Sequence, residues 1–157
     1  MPALIRNKAI IKDSWRFPAV EVVDGSDSDR VCTLSAWLNA GGPDTVGAVQ
    51  LQPGDDCTAL ADGLPALRLV AVYFTAFTDG RGFSLARELR DLGFRGELRA
   101  RGHILPDQVQ YLYRCGYDAF QPDDESRLQP SLARIQGFSN HYQASIDQPL
   151  PLFRRRA

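Results

Sequence analysis

Six side chains between positions 79 and 103 carry most of the chemistry on offer here. Asp79, Arg81 and Ser84 share one loop, and Arg99, Arg101 and His103 alternate along the strand-like stretch that follows. In the loop Thr78-Asp79-Gly80-Arg81-Gly82-Phe83-Ser84, the two glycines permit close backbone approach and Ser84 is placed to cap a helix. Arg81 could then hold an oxyanion bidentately against the helix N-terminus. The structural alternative is a tight loop in which Asp79 caps the helix and Arg81 pairs with it. In the second group, strand alternation puts Glu97, Arg99, Arg101 and His103 on one face. Three cationic or protonatable groups in a row suit a sulfur or phosphorus oxyanion; a solvated face on a strand near the sheet edge explains them equally. His103 is the candidate for proton transfer, set against an ordinary hydrogen-bonding loop residue. The expected ligand-binding set is therefore Asp79, Arg81, Ser84, Arg99 and Arg101.

Other reactive residue types have structural accounts. Asp107 and Gln108 fall in the first turn of an expected helix, where an acid complements the dipole without catalysing anything. Cys115 ends that helix, where the dipole disfavours a thiolate, so it reads as packed core. The three cysteines, Cys32, Cys57 and Cys115, are dispersed and odd in number. They supply neither a disulfide framework nor the four thiolates of an iron–sulfur cluster. With only two histidines, no metal site is expected. Gly80-x-Gly82-x-x-Leu85 approaches a dinucleotide fingerprint, but leucine stands where close helix–strand packing asks for Gly or Ala. The next strand also ends in arginines rather than in the acid that would hold a ribose.

The elements that must position these residues alternate. Leu67–Phe74 is a nearly continuous apolar run, as in a strand covered on both faces. A helix over Ser84–Leu92, a strand over Glu97–Arg101, a helix over Pro106–Cys115, a strand over Ala119–Gln121 and a helix over Ser126–Ile135 follow. Upstream, Thr33–Ala40 reads as a short helix, Thr45–Leu51 as a strand and Thr58–Leu64 as a short helix. Leu4–Val23 reads as a loosely patterned strand or extended structure around Trp15 and Phe17, interrupted by Pro18 and by the acidic loop 24–29. Such alternation predicts an α/β domain with a mostly parallel sheet, either open and doubly wound or a partial barrel. Three loops, Thr75–Phe83, Gly102–Pro106 and Pro122–Ser126, should converge beyond the strands' carboxyl ends. Residues 1–137 are read as one domain and 138–157 as an extended arm.

With 44% apolar and 24% charged residues and a net charge of −1, the chain has the composition of a soluble globular domain. It has no general attraction for nucleic acid or anionic membrane. No apolar run approaches the roughly 20 residues that span a bilayer, and the N-terminus lacks the apolar core of a signal peptide. A cytoplasmic protein is expected.

The blocks FTDGRGFSLARELR, GFRGELRARGHILPDQ and LYRCGYDAF, with KDSWRF and FSNHYQ toward the ends, resemble the bacterial family catalogued as domain of unknown function 934. Its members are commonly described as oxidoreductases involved in sulfite reduction. The resemblance implies an accessory protein of assimilatory sulfite reduction, acting with a separate sulfite reductase, because the chain lacks the cysteines for that enzyme's cluster. Such an accessory would pass electrons through a bound flavin or NADP. Alternatively it would bind a small oxyanion or assist assembly without redox activity, docking through its tail at Pro149–Phe153.

Overall fold

The computed structural model describes residues 2–17, 29–42, 47–135, 137 and 140–155. Pro18, loop positions 24–28, the first two residues of the strand expected from Thr45 and, in the tail, Arg156 lie outside the described residues. Seven strands form one sheet: β1 (Ala3–Arg6), β2 (Ala9–Lys12), β3 (Cys32–Thr33), β4 (Ala48–Leu51), β5 (Leu69–Phe74), β6 (Glu97–Gly102) and β7 (Ala119–Pro122). The helices are α1 (Leu34–Asn39), α2 (Arg81–Asp91), α3 (Val109–Cys115) and α4 (Leu128–Ile135), with a 3-10 helix over Cys57–Ala66 between β4 and β5. The sheet order is β2-β1-β7-β6-β5-β4-β3. Strands β3 to β7 are mutually parallel, and β1 is antiparallel to both β7 and β2.

The expected mostly parallel α/β sheet is therefore present, and it is open. Neighbours from β3 to β7 are also consecutive in sequence, as in a barrel wall, so the strand order never reverses. All crossovers step the same way and the helices collect on one face. Leu60, Leu64, Leu85, Leu89, Val109, Leu112 and Leu128 form a single apolar cluster with Val49, Leu51, Val70, Val72, Leu98 and Ala100 of the sheet. The opposite face carries Ala48, Leu69 and Val31 as a separate small cluster, against which Trp15 and Phe17 pack. One strap, the segment 13–17, takes the place of a second helical layer.

Local chemistry explains the main boundaries. Asn7 and Lys8 both have positive φ (52° and 58°) and make the two-residue turn joining β1 to β2. The strand or extended structure expected here is thus a hairpin, for which the asparagine between two apolar pairs is the sequence signal. Thr33 caps α1 by accepting from the Ala36 N–H (3.2 Å). Helices α2 and α3 end alike, in Leu-Gly-Phe and Cys-Gly-Tyr. The N–H after each glycine bonds back across the last turn, Phe94 to Leu89 (3.0 Å) and Tyr117 to Leu112 (3.2 Å), and both aromatics are buried. Helix α2 begins at Arg81 rather than Ser84, because Asp79 accepts from the Arg81 N–H (3.2 Å) and starts the turn earlier. Helix α3 begins later than expected, at Val109. The Gln108 amide accepts from Leu105 N–H (3.1 Å) and donates to Phe77 C=O (2.7 Å), which ties two of the three converging loops together. In the tail, Arg114 is held by Asp147 (3.4 Å) and its carbonyl accepts from Ser145 Oγ (2.6 Å), while Leu150 and Phe153 remain exposed.

One expectation is overturned. Strand β6 does not lie near the sheet edge with a solvated face; it runs between β5 and β7, and Arg99 is 1% exposed. Its charge is matched internally. Arg99 donates to Glu97 (2.7 Å), Asp13 (2.7 Å) and Gln121 (3.1 Å), and Glu97 in turn pairs with Arg6 (3.0 Å). Asp13 belongs to the strap, so this network fastens the strap to the sheet. Removing one partner from a buried pair strands the other charge, at a cost of about 3–5 kcal/mol. Asp13→Ala should therefore lower unfolding free energy by about that amount in urea titrations, while the exposed neighbour change Ser14→Ala should leave it within about 0.5 kcal/mol. A loss below about 1 kcal/mol for Asp13→Ala would contradict the anchoring role.

Candidate functional site

Two residues along β6 from Arg99, Arg101 sits on the same face with a different environment. Its register partners are Tyr73 on β5 and Gln121 on β7. One strand further out, Gln50 accepts a hydrogen bond from Arg101 Nη1 at 2.6 Å. The residue of β5 that pairs with Gln50 is Ala71, small enough to let the guanidinium reach across. The Phe17 ring lies over the guanidinium at 3.8 Å and the Tyr73 ring at 5.1 Å. Nε of Arg101 is buried without a hydrogen-bond partner. Among the described residues no carboxylate lies within ion-pair distance of it. Burial pulls the Arg101 pKa below its ordinary value, only partly offset by the more distant Asp123 and by Tyr73.

Arg101 forms part of the wall of a cleft of about 410 Å³ at the carboxyl end of β6 and β7. The strap supplies Trp15, Arg16 and Phe17, and the turn after β7 supplies Asp123 and Glu125. Tyr73 Oη donates to Asp123 Oδ2 (3.2 Å), and the Asp123 N–H donates to Gly102 C=O (3.0 Å). Burial and the adjacent Asp123 carboxylate raise the Tyr73 pKa, so the phenol stays a donor. Gly102 makes this arrangement possible. It has φ of +97°, and a Cβ there would come within 2.5 Å of the Phe74 carbonyl oxygen and 2.9 Å of the Tyr73 ring.

The six residues singled out from sequence are not brought into one site. Arg81 donates twice to Asp79, from Nε (2.9 Å) and Nη2 (2.7 Å), on an exposed surface. These bonds hold the Asp79 carboxyl below its usual range and raise Arg81. Ser84 does not cap; its hydroxyl donates back to the Arg81 carbonyl (3.3 Å). Arg99 is enclosed in its ion-pair network. The His103 ring makes a T-shaped contact with Phe77 (5.4 Å between centroids), while its backbone N–H donates to Phe74 C=O (2.7 Å). Only Arg101 of these residues faces the cleft. Gln50, Tyr73, Gln121 and Asp123 were missed, as were Trp15 and Phe17. The available signals were glutamines inside otherwise apolar strands and an acid just past a strand's carboxyl end.

The glycine motif and the thiols have packing explanations. A Cβ on Gly82 would collide with the Phe74 ring, and its carbonyl accepts from the buried Tyr117 hydroxyl (2.7 Å). The residue is small so that α2 can lie close on β5. Cys32 and Cys57 are buried, and their thiols are pushed up to about 11 by desolvation. Cys115 is raised for the same reason. Among the described residues no group of three or more His, Cys, Asp or Glu side chains is arranged to hold a metal ion. No helix among them is long and apolar enough to cross a membrane.

A family model described as "Bacterial protein of unknown function (DUF934)" matches residues 48–153, more than half of the chain. No curated protein matches it. The matched span includes β4 through β7 and all the converging loops, but not the strap.

Two predictions test this geometry. Gly102→Ala combines positive φ, worth about 1–2 kcal/mol for an L-residue, with a backbone clash, so unfolding free energy should fall by more than about 2 kcal/mol; wild-type stability would refute the close approach. A pKa near 11 leaves on the order of one thiolate in a thousand at pH 8. Cys32 and Cys57 should thus resist a thiol reagent in the native protein and react only in denaturant, and rapid native labelling of either would contradict their burial.

Proposed function

The chain belongs to the DUF934 family, and we propose that it serves assimilatory sulfite reduction as an accessory protein, acting beside a separate sulfite reductase and holding a small oxyanion at Arg101. The pathway rests on the resemblance carried by the blocks FTDGRGFSLARELR, GFRGELRARGHILPDQ and LYRCGYDAF, all inside the matched span. The oxyanion rests on one observation. Of the three arginines that could serve, Arg81 is paired with Asp79 and Arg99 with Asp13 and Glu97, whereas among the described residues Arg101 has a buried Nε–H without a partner and no carboxylate at contact distance.

The chemistry this permits is recognition. An oxyanion entering the cleft would accept from the guanidinium and supply the counter-charge that burial makes it lack. Phe17 and Tyr73 fix the plane of the guanidinium, so little ordering is required on binding. Gln50 already holds Nη1, leaving the remaining donors to set the direction of approach. In this role the protein makes and breaks no covalent bond; it holds a sulfur oxyanion for the reductase, which performs the electron transfer.

Titration calorimetry with sulfite, sulfate and phosphate tests this reading. The wild-type chain should bind at least one of them with unit stoichiometry. Arg101→Gln should weaken that binding at least tenfold, in line with the roughly 1.5–3 kcal/mol of a hydrogen bond to a charged group, and Arg81→Gln should not change it. No heat with any of the three, or unaltered binding by Arg101→Gln, would sink the assignment.

A further inference from the structure

The Arg101 cleft is much larger than a bare oxyanion, and besides Arg101 its wall carries a second cation, Arg16 of the strap, and two acids. At about 410 Å³ it has room for on the order of ten water molecules. Asp123 and Glu125 stand on its wall at the turn leaving β7. Asp123 spends one oxygen on the Tyr73 hydroxyl (3.2 Å), and Glu125 spends one on the Ala3 N–H (3.0 Å). The second oxygen of each carboxylate has no hydrogen bond among the described residues, and neither side chain pairs with a cation there. Arg101 and the two acids therefore line one space without forming an ion pair with each other. Tyr73 helps to keep them so, because its ring lies against Arg101 while its hydroxyl secures Asp123. The wall also includes two aromatic residues, Trp15 and Phe17, the latter lying over Arg101.

We propose that the cleft binds a small zwitterion of the amino-acid type, its carboxylate or sulfonate on Arg101 and its ammonium at Asp123 and Glu125. This rests on Arg101 as the anion anchor proposed above and adds the second charge that the ligand must carry. The two carboxylates on the wall oppose the attraction that Arg101 exerts on a lone anion, so such an ion is held less tightly than one that brings its own cation. A charge-separated ligand satisfies both poles at once. The aromatic walls suit a short aliphatic spacer and exclude water from the two contacts. Discrimination comes from the same carboxylates: an analogue lacking the amine leaves them without a cation and close to its own negative end.

Matched pairs of probes test this on the wild-type chain by calorimetry: β-alanine against propionate, and taurine against ethanesulfonate. Each amino compound should bind at least tenfold more tightly than its counterpart, and the better pair identifies the acid group preferred. Asp123→Asn combined with Glu125→Gln should reduce that ratio to near one. Arg101→Gln should weaken all four probes. Equal affinity within both pairs, or no binding of either amino compound, would overturn the proposal. The two readings fail separately. Binding of sulfite without preference for the amine leaves the oxyanion function standing and removes the zwitterion; binding of taurine or β-alanine with no heat from sulfite, sulfate or phosphate does the reverse.

Discussion

The buried ion network centred on Arg99 is the constraint on which the rest of the molecule depends. Its members alternate in sign, Arg6, Glu97, Arg99 and Asp13, and they come from β1, β6 and the strap. Asp13 is fully engaged: one oxygen takes Arg99 (2.7 Å) and Gln121 (3.0 Å), and the other takes the Trp15 N–H (3.1 Å). Burying such charges costs several kcal/mol per ion before their attraction returns it, and well-packed apolar residues of the same volume would often be at least as stable. Net stability is thus a poor reason for the network. Position is a better one. An apolar strap could slide along the sheet, whereas a carboxylate that must meet one guanidinium and one amide can sit in only one register.

That register matters because the sheet is wound in a single direction. Helices collected on one face leave the other in need of a cover, and five residues of strap cannot bury much area. Trp15 covers the small apolar patch of Val31, Ala48 and Leu69, held by the stack of Arg68 on its ring at 4.8 Å. Phe17 covers Arg101. The remaining surface of this face is polar and has to be satisfied by its own neighbours, which Gln50, Gln121 and Glu97 do. A doubly wound sheet would instead have put a helix here, with apolar residues in place of Arg99 and Arg101. Ligand sites in doubly wound sheets sit where strand order reverses. This sheet has no reversal, and its cleft forms where the strap meets the ends of β6 and β7.

Much of this fold was legible in the sequence, and the reasons differ by element. The run Leu69–Phe74 and the repeated helix-glycine-aromatic endings announced themselves through local patterns, because hydrophobic period and turn chemistry act over a few residues. Strand β6 was found, yet its setting was misread. Arg99 and Arg101 look the same to any local rule, and Asp13, which decides the fate of Arg99, lies 86 residues away. Helix α2 began three residues early for a similar reason at shorter range: Asp79, rather than Ser84, supplied the acceptor. Gln50 and Gln121 were passed over because a single polar residue in a short apolar strand carries no periodic signal. What was legible was the set of groups; what was not legible was which of them cancel.

That cancellation separates Arg101 from Arg99 physically. Both lie on the covered face of β6, and both have Phe17 nearby, at 3.8 Å and 5.4 Å respectively. Arg99 falls in the row that meets Asp13 from the strap and Glu97 from its own strand, so its charge is matched. One register step further, the corresponding neighbours are an uncharged tyrosine and glutamine, and the strap has already turned its aromatic side inward. The acids that could have neutralised Arg101 stand beyond the strand end, one of them fastened by Tyr73. If Asp123 were instead drawn onto Arg101, the pair would resemble the Arg99 network and the cleft would lose its charge separation. The hydrogen bond from Tyr73 opposes this, and it holds the Tyr73 ring where a Cβ at position 102 would come within 2.9 Å of it. Gly102 leaves that space open, so a glycine at the strand's end lets one tyrosine hold Asp123 away from Arg101, which has no carboxylate partner among the described residues.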